Sequence, residues 1–197
     1  AYEIRNCDWS SDVCSSDLER FLGEEVRNEQ PRPLLALCPG AEFGSAKQWP
    51  PDYFAAVAAH YLGAGWRVML LGSVSDTASC AEVQQQASTA GSCLNLAGKT
   101  SLDDAVQLLA LASLAVSNDS GLMHIAAAVG TPTVAVYGAT SPDFTPPLAD
   151  HAAVVQQPID CSPCFKRECP LGHHRCMKEL SPQMVIDAAE RLVPCAS

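Results

Sequence analysis

Short apolar blocks recur along the chain, separated by stretches with helical periodicity. Leu34-Leu35-Ala36-Leu37-Cys38 is a continuous apolar block stopping at Pro39-Gly40, which predicts a buried strand and then a loop. Pro50-Pro51-Asp52 predicts the start of a helix that runs to Leu62 and stops at Gly63 and Gly65. Trp66 to Leu71 predicts a second strand, and a more polar helix follows from about Asp76 to Ala87. Cys93 to Leu96 reads as a short third strand. Ser101, followed by Asp103 and Asp104, has the N-cap and acidic first turn of a helix reaching Leu111. Leu114 to Ser117, a helix from Ser120, Thr133 to Tyr137 and a last helix from Pro182 to Leu192 complete the series. Apolar strands alternating with helices predict a doubly wound α/β domain, a parallel sheet covered on both faces.

Such a sheet collects its ligand-binding loops beyond the carboxyl ends of its strands. The loop after the first strand, Gly40 to Pro50, is rich in small residues and carries Lys47. The second strand leads into Gly72 to Asp76, the fourth into Asp119-Ser120-Gly121, and the fifth into Gly138-Ala139-Thr140-Ser141-Pro142. The fourth loop is the most informative, because a buried strand, a tight turn and a new helix aim backbone N–H groups at an anion. Asp119 and His124 add a carboxylate and an imidazole on either side of that turn. Gathered on one rim, Lys47, Asp76, Asp119, Ser120, Gly121, His124, Thr140 and Ser141 suit a ligand carrying both phosphate and sugar hydroxyls. Plainer roles stay open for several of them. Asp119 can cap the following helix, Lys47 can be a solvated lysine, and Asp76 can be an ordinary acidic residue in a first turn. His124, one helical turn after Ser120, can be a buried, hydrogen-bonded histidine.

Composition narrows the partners. Of 197 residues, 48% are hydrophobic, which is ample for the core of one domain. A net charge of -10 argues against nucleic acid and against a standing electrostatic hold on anionic lipid. No apolar run reaches the ~18 residues of a membrane span, and no basic-then-apolar secretory signal is visible. Six of the ten cysteines (Cys7, Cys14, Cys38, Cys80, Cys93 and Cys195) are scattered singly, unlike a disulfide framework, so a reduced, cytoplasmic protein is expected. Residues 1–18 lack periodicity and resemble translated adapter sequence. They are expected to be a non-native scar, with a linker over 19–32 and the ligand-binding domain over 33–150; the native protein is then expected to extend further N-terminally.

The other four cysteines cluster as Cys161-x2-Cys164-x4-Cys169-x6-Cys176, with His173 and His174 in the last gap. They lie in a Cys-rich loop region, 151–180, ahead of a C-terminal helix region, 181–197. Four thiols at such spacing can hold a structural zinc ion, while disulfides or reduced thiols are the alternatives. Lys166, Arg167, His173, His174 and Arg175 also make this loop the basic patch of an acidic chain. That patch either meets phosphorylated sugars or offsets nearby carboxylates.

Three longer motifs carry a family resemblance. Val116-Ser117-Asn118-Asp119-Ser120-Gly121-Leu122-Met123-His124-Ile125-Ala126-Ala127-Ala128 resembles the signature of the ADP-heptose:lipopolysaccharide heptosyltransferases. The stretches Tyr137 to Pro147 and Cys161 to Met177 resemble the heptosyltransferase II branch in particular, and the likeness runs from about Pro33 to Ala189. The resemblance implies a GT-B fold, two Rossmann-like domains facing each other across a cleft, of which this chain is the C-terminal, donor-holding half. It implies transfer of heptose from ADP-heptose to the lipopolysaccharide inner core with inversion. By the same resemblance Lys47 neutralises the donor pyrophosphate, and Asp119, Ser120 and Gly121 hold heptose hydroxyls and phosphate with support from His124. Asp76 takes the place of a ribose-binding acid, and the final helix packs back towards the other domain. The general base belongs to an acceptor-binding domain outside this chain, so the chain alone is expected to bind donor without turnover. With no Asp-x-Asp motif on the rim, Lys47 and the helix N-terminus at Ser120 are expected to stabilise the leaving group without a metal cofactor. The implied partners are the ADP-heptose donor and, through the missing domain, the lipopolysaccharide core acceptor. At most a peripheral association with the inner face of the inner membrane is implied. Two alternatives stand beside this: a stand-alone nucleotide- or metal-binding module without transfer chemistry, and a different nucleotide-sugar transferase of the same fold.

Overall fold

A computed structural model of the chain describes residues 32–91 and 93–193, together with Phe21. The expectations for residues 1–18, and for nearly all of 19–32, lie outside the described residues. Strand β1 (Leu34–Cys38), β4 (Leu114–Asn118) and β5 (Thr133–Tyr137) are buried along their whole length. They read as continuous apolar runs rather than alternating ones because both of their faces are covered. Beyond β1 lie β2 (Arg67–Leu70) and β3 (Cys93–Asn95); beyond β5 lies β6 (Ala152–Gln156). All six are parallel, in the spatial order β3-β2-β1-β4-β5-β6.

The alternation of side chains along each strand sorts the core into two layers. Leu35 and Leu37 of β1 face the layer built by α1 (Pro51–Gly63), α2 (Thr77–Ala87) and the C-terminal helix, packing with Phe54, Val57, Tyr61 and Val83. Leu34, Ala36 and Cys38 face the opposite layer, where α3 (Leu102–Leu111) and α4 (Gly121–Ala128) contribute Leu108, Leu109 and Ala126. Proline at the first position of α1 and a Ser101–Asp104 capping box on α3 begin those helices where the sequence predicts.

One feature departs from expectation. Strand β6 falls within the stretch expected to be Cys-rich loop. As an edge strand it pairs only with β5, from Thr133↔Ala152 to Tyr137↔Gln156, and of its five residues only Val155 is buried. Its apolar run, Ala152 to Val155, is only four residues long and by itself does not distinguish a strand. The last two helices are α5 (Arg175–Lys178) and α6 (Pro182–Leu192). The latter buries Val185, Ile186, Ala188 and Ala189 in the first layer of its own sheet. His60 of α1 and Glu190 of α6 meet at 3.0 Å along that seam. Among the described residues, no helix is long and apolar enough to cross a membrane.

Candidate functional site

The strand order reverses direction between β1 and β4, so the loops leaving their carboxyl ends diverge and open a crevice between them. Asn118, the last residue of β4, ties both ends of the β1 loop to this point. Its amide nitrogen donates to Pro39 O at 2.7 Å, and its Oδ1 accepts from Trp49 N at 3.2 Å. The Trp49 indole N–H donates to Leu180 O at 2.8 Å. Between these anchors a single 3-10 turn, Ser45–Lys47, delivers Lys47 to the crevice.

There Lys47 Nζ lies 2.6 Å from Asp119 Oδ2. Thr140 Oγ1, on the β5 loop, donates to the same oxygen at 2.6 Å, and Thr145 Oγ1 donates to Oδ1 at 3.4 Å. Asp119 is only 4% exposed and the Lys47 side chain 13%. A charge pair this enclosed persists because hydroxyls complete the carboxylate's hydrogen bonding. Beneath it, burial and then the charge of Asp119 push the Tyr137 phenol upward, so it stays neutral and donates to Thr145 O.

Beside this cluster runs a cleft of about 320 Å3. Gly40, Gly72, Ser73 and Asp76 form one wall, and Ser120 and Gly121 contribute to another; Leu102, Leu122 and Ile125 add apolar surface. The Asp76 carboxylate accepts from Ser73 N at 2.8 Å and Ser73 Oγ at 2.7 Å. It sits so close to the loops after β1 and β2 that a Cβ on Gly40 would meet its Oδ2 at 2.5 Å, and one on Gly72 its Cβ at 2.8 Å. Both positions therefore exclude a side chain. Helix α4 begins with Ser120 as N-cap and without a side-chain cap hydrogen bond, which leaves first-turn N–H groups for a ligand.

Sequence expectation and structure agree unevenly here. Lys47, Asp119 and Thr140 converge on one point, while Asp76, Ser120 and Gly121 line the adjoining cleft. Asp119 does not cap α4; its carboxylate is taken by Lys47 and Thr140. Ser141 is buried and paired locally, donating to Asp143 Oδ2 at 3.1 Å and accepting from Asp143 N at 3.2 Å. His124 is exposed, neither buried nor lining the cleft. Its alignment with Ser120 presumed helical spacing, but Ser120 is still extended (φ -147°, ψ 172°), so the four-residue rule does not reach back to it. Thr145 and Asn118 were not anticipated. Both lie inside motifs that carry the resemblance, Asn118 at the end of β4 and Thr145 in the turn after β5, where no periodicity marks which side chain points inward.

Cys161, Cys164, Cys169 and Cys176, all free thiols, line a cavity of about 50 Å3 together with His173 and His174. Cys161 Sγ is 3.9 Å from His173 Nε2, and Arg175 N donates to His173 Nδ1 at 3.0 Å. Backbone N–H groups, that of His174 foremost, hold the Cys169 thiol below its ordinary range, and burial pushes Cys176 up. Among the described residues, however, no three His, Cys, Asp or Glu side chains are placed to hold a metal ion. The thiols share a cavity without forming a ligand set, so the zinc expectation finds no support in their arrangement.

Residues 9–175 match glycosyltransferase family 9 (heptosyltransferase), a match that begins within the stretch 1–18. Lipopolysaccharide heptosyltransferase 2 of Escherichia coli strain K12 is 42% identical over 164 residues, covering 82% of this chain and 47% of that protein. Lipooligosaccharide heptosyltransferase 2 of Haemophilus influenzae is 41% identical over 165 residues, covering 82% of this chain and 48% of that protein. Among solved structures, E. coli ADP-heptose lps heptosyltransferase II superposes with a TM-score of 0.73 at 37% identity, over 90% of this chain and 51% of that one. The chain thus spans about half the length of the curated relatives it matches.

Proposed function

This chain belongs to glycosyltransferase family 9, and from that premise we propose that it is the donor-binding half of an inverting, GT-B heptosyltransferase acting on lipopolysaccharide core. The observation that carries the reading is the Lys47–Asp119–Thr140 cluster at the strand switch point, directly beside a cleft of nucleotide size. In transfer, the bond between the sugar and the diphosphate breaks as an acceptor hydroxyl attacks from the opposite face. Negative charge then collects on the departing nucleoside diphosphate. Lys47 donates to Asp119 Oδ2 and, at 3.5 Å, to Asp119 O, which leaves its third N–H for the diphosphate. The open N-terminus of α4 adds backbone donors to the same charge. Asp119 Oδ1, held only by the long Thr145 contact, is the acceptor left for a heptose hydroxyl. Asp76 and Ser73 face the nucleoside side of the cleft, where Asp76 Oδ1 suits a ribose hydroxyl. The residues gathered at this site account for holding the donor and stabilising the leaving group, and the base that deprotonates the acceptor is not among them.

The reaction needs no metal in this proposal, and zinc at the four cysteines would be a structural addition, checked by the metal content of purified protein. We place the activity in the cytoplasm, at the inner face of the inner membrane, where a nucleotide-sugar meets a lipid-linked acceptor. The alternative of a stand-alone binding module predicts nucleotide binding that is indifferent to Lys47.

Calorimetric titration with ADP-heptose and ADP tests the reading. Binding should persist in chelator and weaken about 10-fold or more in Lys47→Ala, as expected for loss of a charge-assisted hydrogen bond. Donor binding abolished by chelator, or unchanged in Lys47→Ala, would remove the basis for it.

A further inference from the structure

Lys47 is an incomplete answer to a diphosphate, because its ammonium is already matched by the Asp119 carboxylate at 2.6 Å and the pair is close to neutral. A second cation stands nearby. The Phe43 ring has Lys47 Nζ at 4.9 Å from its centroid and the Arg167 guanidinium at 5.4 Å, both within cation–π range. Among the described residues Arg167 forms no ion pair.

The Cys-rich loop carrying Arg167 is fastened to both donor-site loops through its own residues. Ala46 N, next to Lys47, donates to Arg167 O at 3.0 Å. Phe165 N donates to Ala139 O at 2.7 Å, and Ser162 Oγ to Gly138 O at 2.6 Å, next to Thr140. Approach is so close at Gly44 that a Cβ there would lie 2.3 Å from Arg167 O. Phe165 adopts a left-handed φ of 55° within this fastening. The loop is therefore held by the main chain of Arg167 and Phe165 and by the Ser162 hydroxyl, which leaves the exposed Arg167 guanidinium with only its Phe43 contact at the edge of the site.

We propose that Arg167 is a second phosphate-binding residue of the donor site, supplying across Phe43 the positive charge that the Lys47–Asp119 pair lacks. The ligand chemistry is a nucleoside diphosphate, so this rests on the donor-site reading above. Because the main chain of Arg167 does the fastening, replacing its side chain removes charge and leaves the loop in place.

The test compares Arg167→Ala and Arg167→Lys with the unaltered chain, measuring ADP affinity by calorimetry at low and high salt, adenosine binding by saturation-transfer NMR, and Tm. Expected for Arg167→Ala is a loss of about 10-fold in ADP affinity with a shallower salt dependence. Adenosine binding and Tm should be unchanged, and Arg167→Lys should recover most of the loss because it keeps the charge. ADP affinity unaltered in Arg167→Ala would overturn the assignment. So would equal losses for ADP and adenosine with a lowered Tm, which would mark a structural role. An unaltered chain that fails to bind ADP would overturn the donor-site reading and this assignment with it, an outcome separable from the other two.

Discussion

Asp119 shows how one residue's role is decided by competition for its oxygens. Following a buried strand and preceding a helix, it is suited to capping, yet a partly exposed lysine and two threonine hydroxyls occupy its oxygens instead of the helix amides. Removing it leaves the Lys47 ammonium enclosed without a counter-charge. Breaking a fully buried pair costs about 3–5 kcal/mol, and the partial exposure of Lys47 reduces this to roughly 2–3 kcal/mol. Thermal unfolding of Asp119→Ala should show a drop in Tm of that order, whereas Ser141→Ala, whose hydroxyl serves only Asp143, should move it far less. Equal effects would mean that the ion pair contributes nothing special. His124 illustrates the opposite case. A residue inside the most diagnostic motif is exposed, because α4 turns Met123, Ala126 and Ala127 into the core and His124 away from it.

At the scale of elements, the site is made by loops pinned to one another more than by the strands that deliver them. The β1 loop is fastened at Asn118, at Leu180 O and at Arg167 O, three points 69 to 131 residues away in sequence from the residues they hold. Gly44 is where this fastening leaves no space. Alanine there meets backbone rather than a flexible side chain, so the Cys-rich loop must shift, at a cost of about 1–3 kcal/mol. Gly44→Ala should weaken ADP binding as well as lower Tm, while Gly63→Ala, with nothing within 4 Å of the new Cβ, should do neither. Differential scanning fluorimetry with and without ADP would show both effects. Gly44 was legible as part of a small-residue loop, but what it makes room for was not, since Arg167 is distant in sequence.

For the whole molecule, the core carries a signature of its own. Cys38, Cys80 and Cys93 are buried free thiols on the sheet and α2. Burial pushes all three up, Cys80 to about 12 and Cys93 to about 11 from an ordinary value of 9.0. A raised folded-state value means that the unfolded chain loses these protons first. Their contribution is complete below about pH 9 and is lost as pH climbs towards 11 and 12, by up to ~1.4 kcal/mol per pH unit for each thiol. Urea unfolding followed from pH 8 to pH 11 should show falling stability, and Cys80→Ala should flatten the decline. A curve that is flat across that window would mean the thiols ionise equally in both states.

The amino-acid sequence by itself determined the doubly wound sheet, the gathering of the polar loops on its carboxyl rim, and the motifs that belong to the family. These follow from local periodicity and from chain order, which strands and helices impose on their own neighbours. Tertiary structure alone decided which rim residues meet: that Lys47 is spent on Asp119, that Thr145 joins them, that β6 pairs at the sheet edge, that α6 packs on this sheet, and that Arg167 arrives across Phe43. Each of these is a contact between residues far apart in the chain, set by packing and by competition for hydrogen bonds, and neither leaves a period to read.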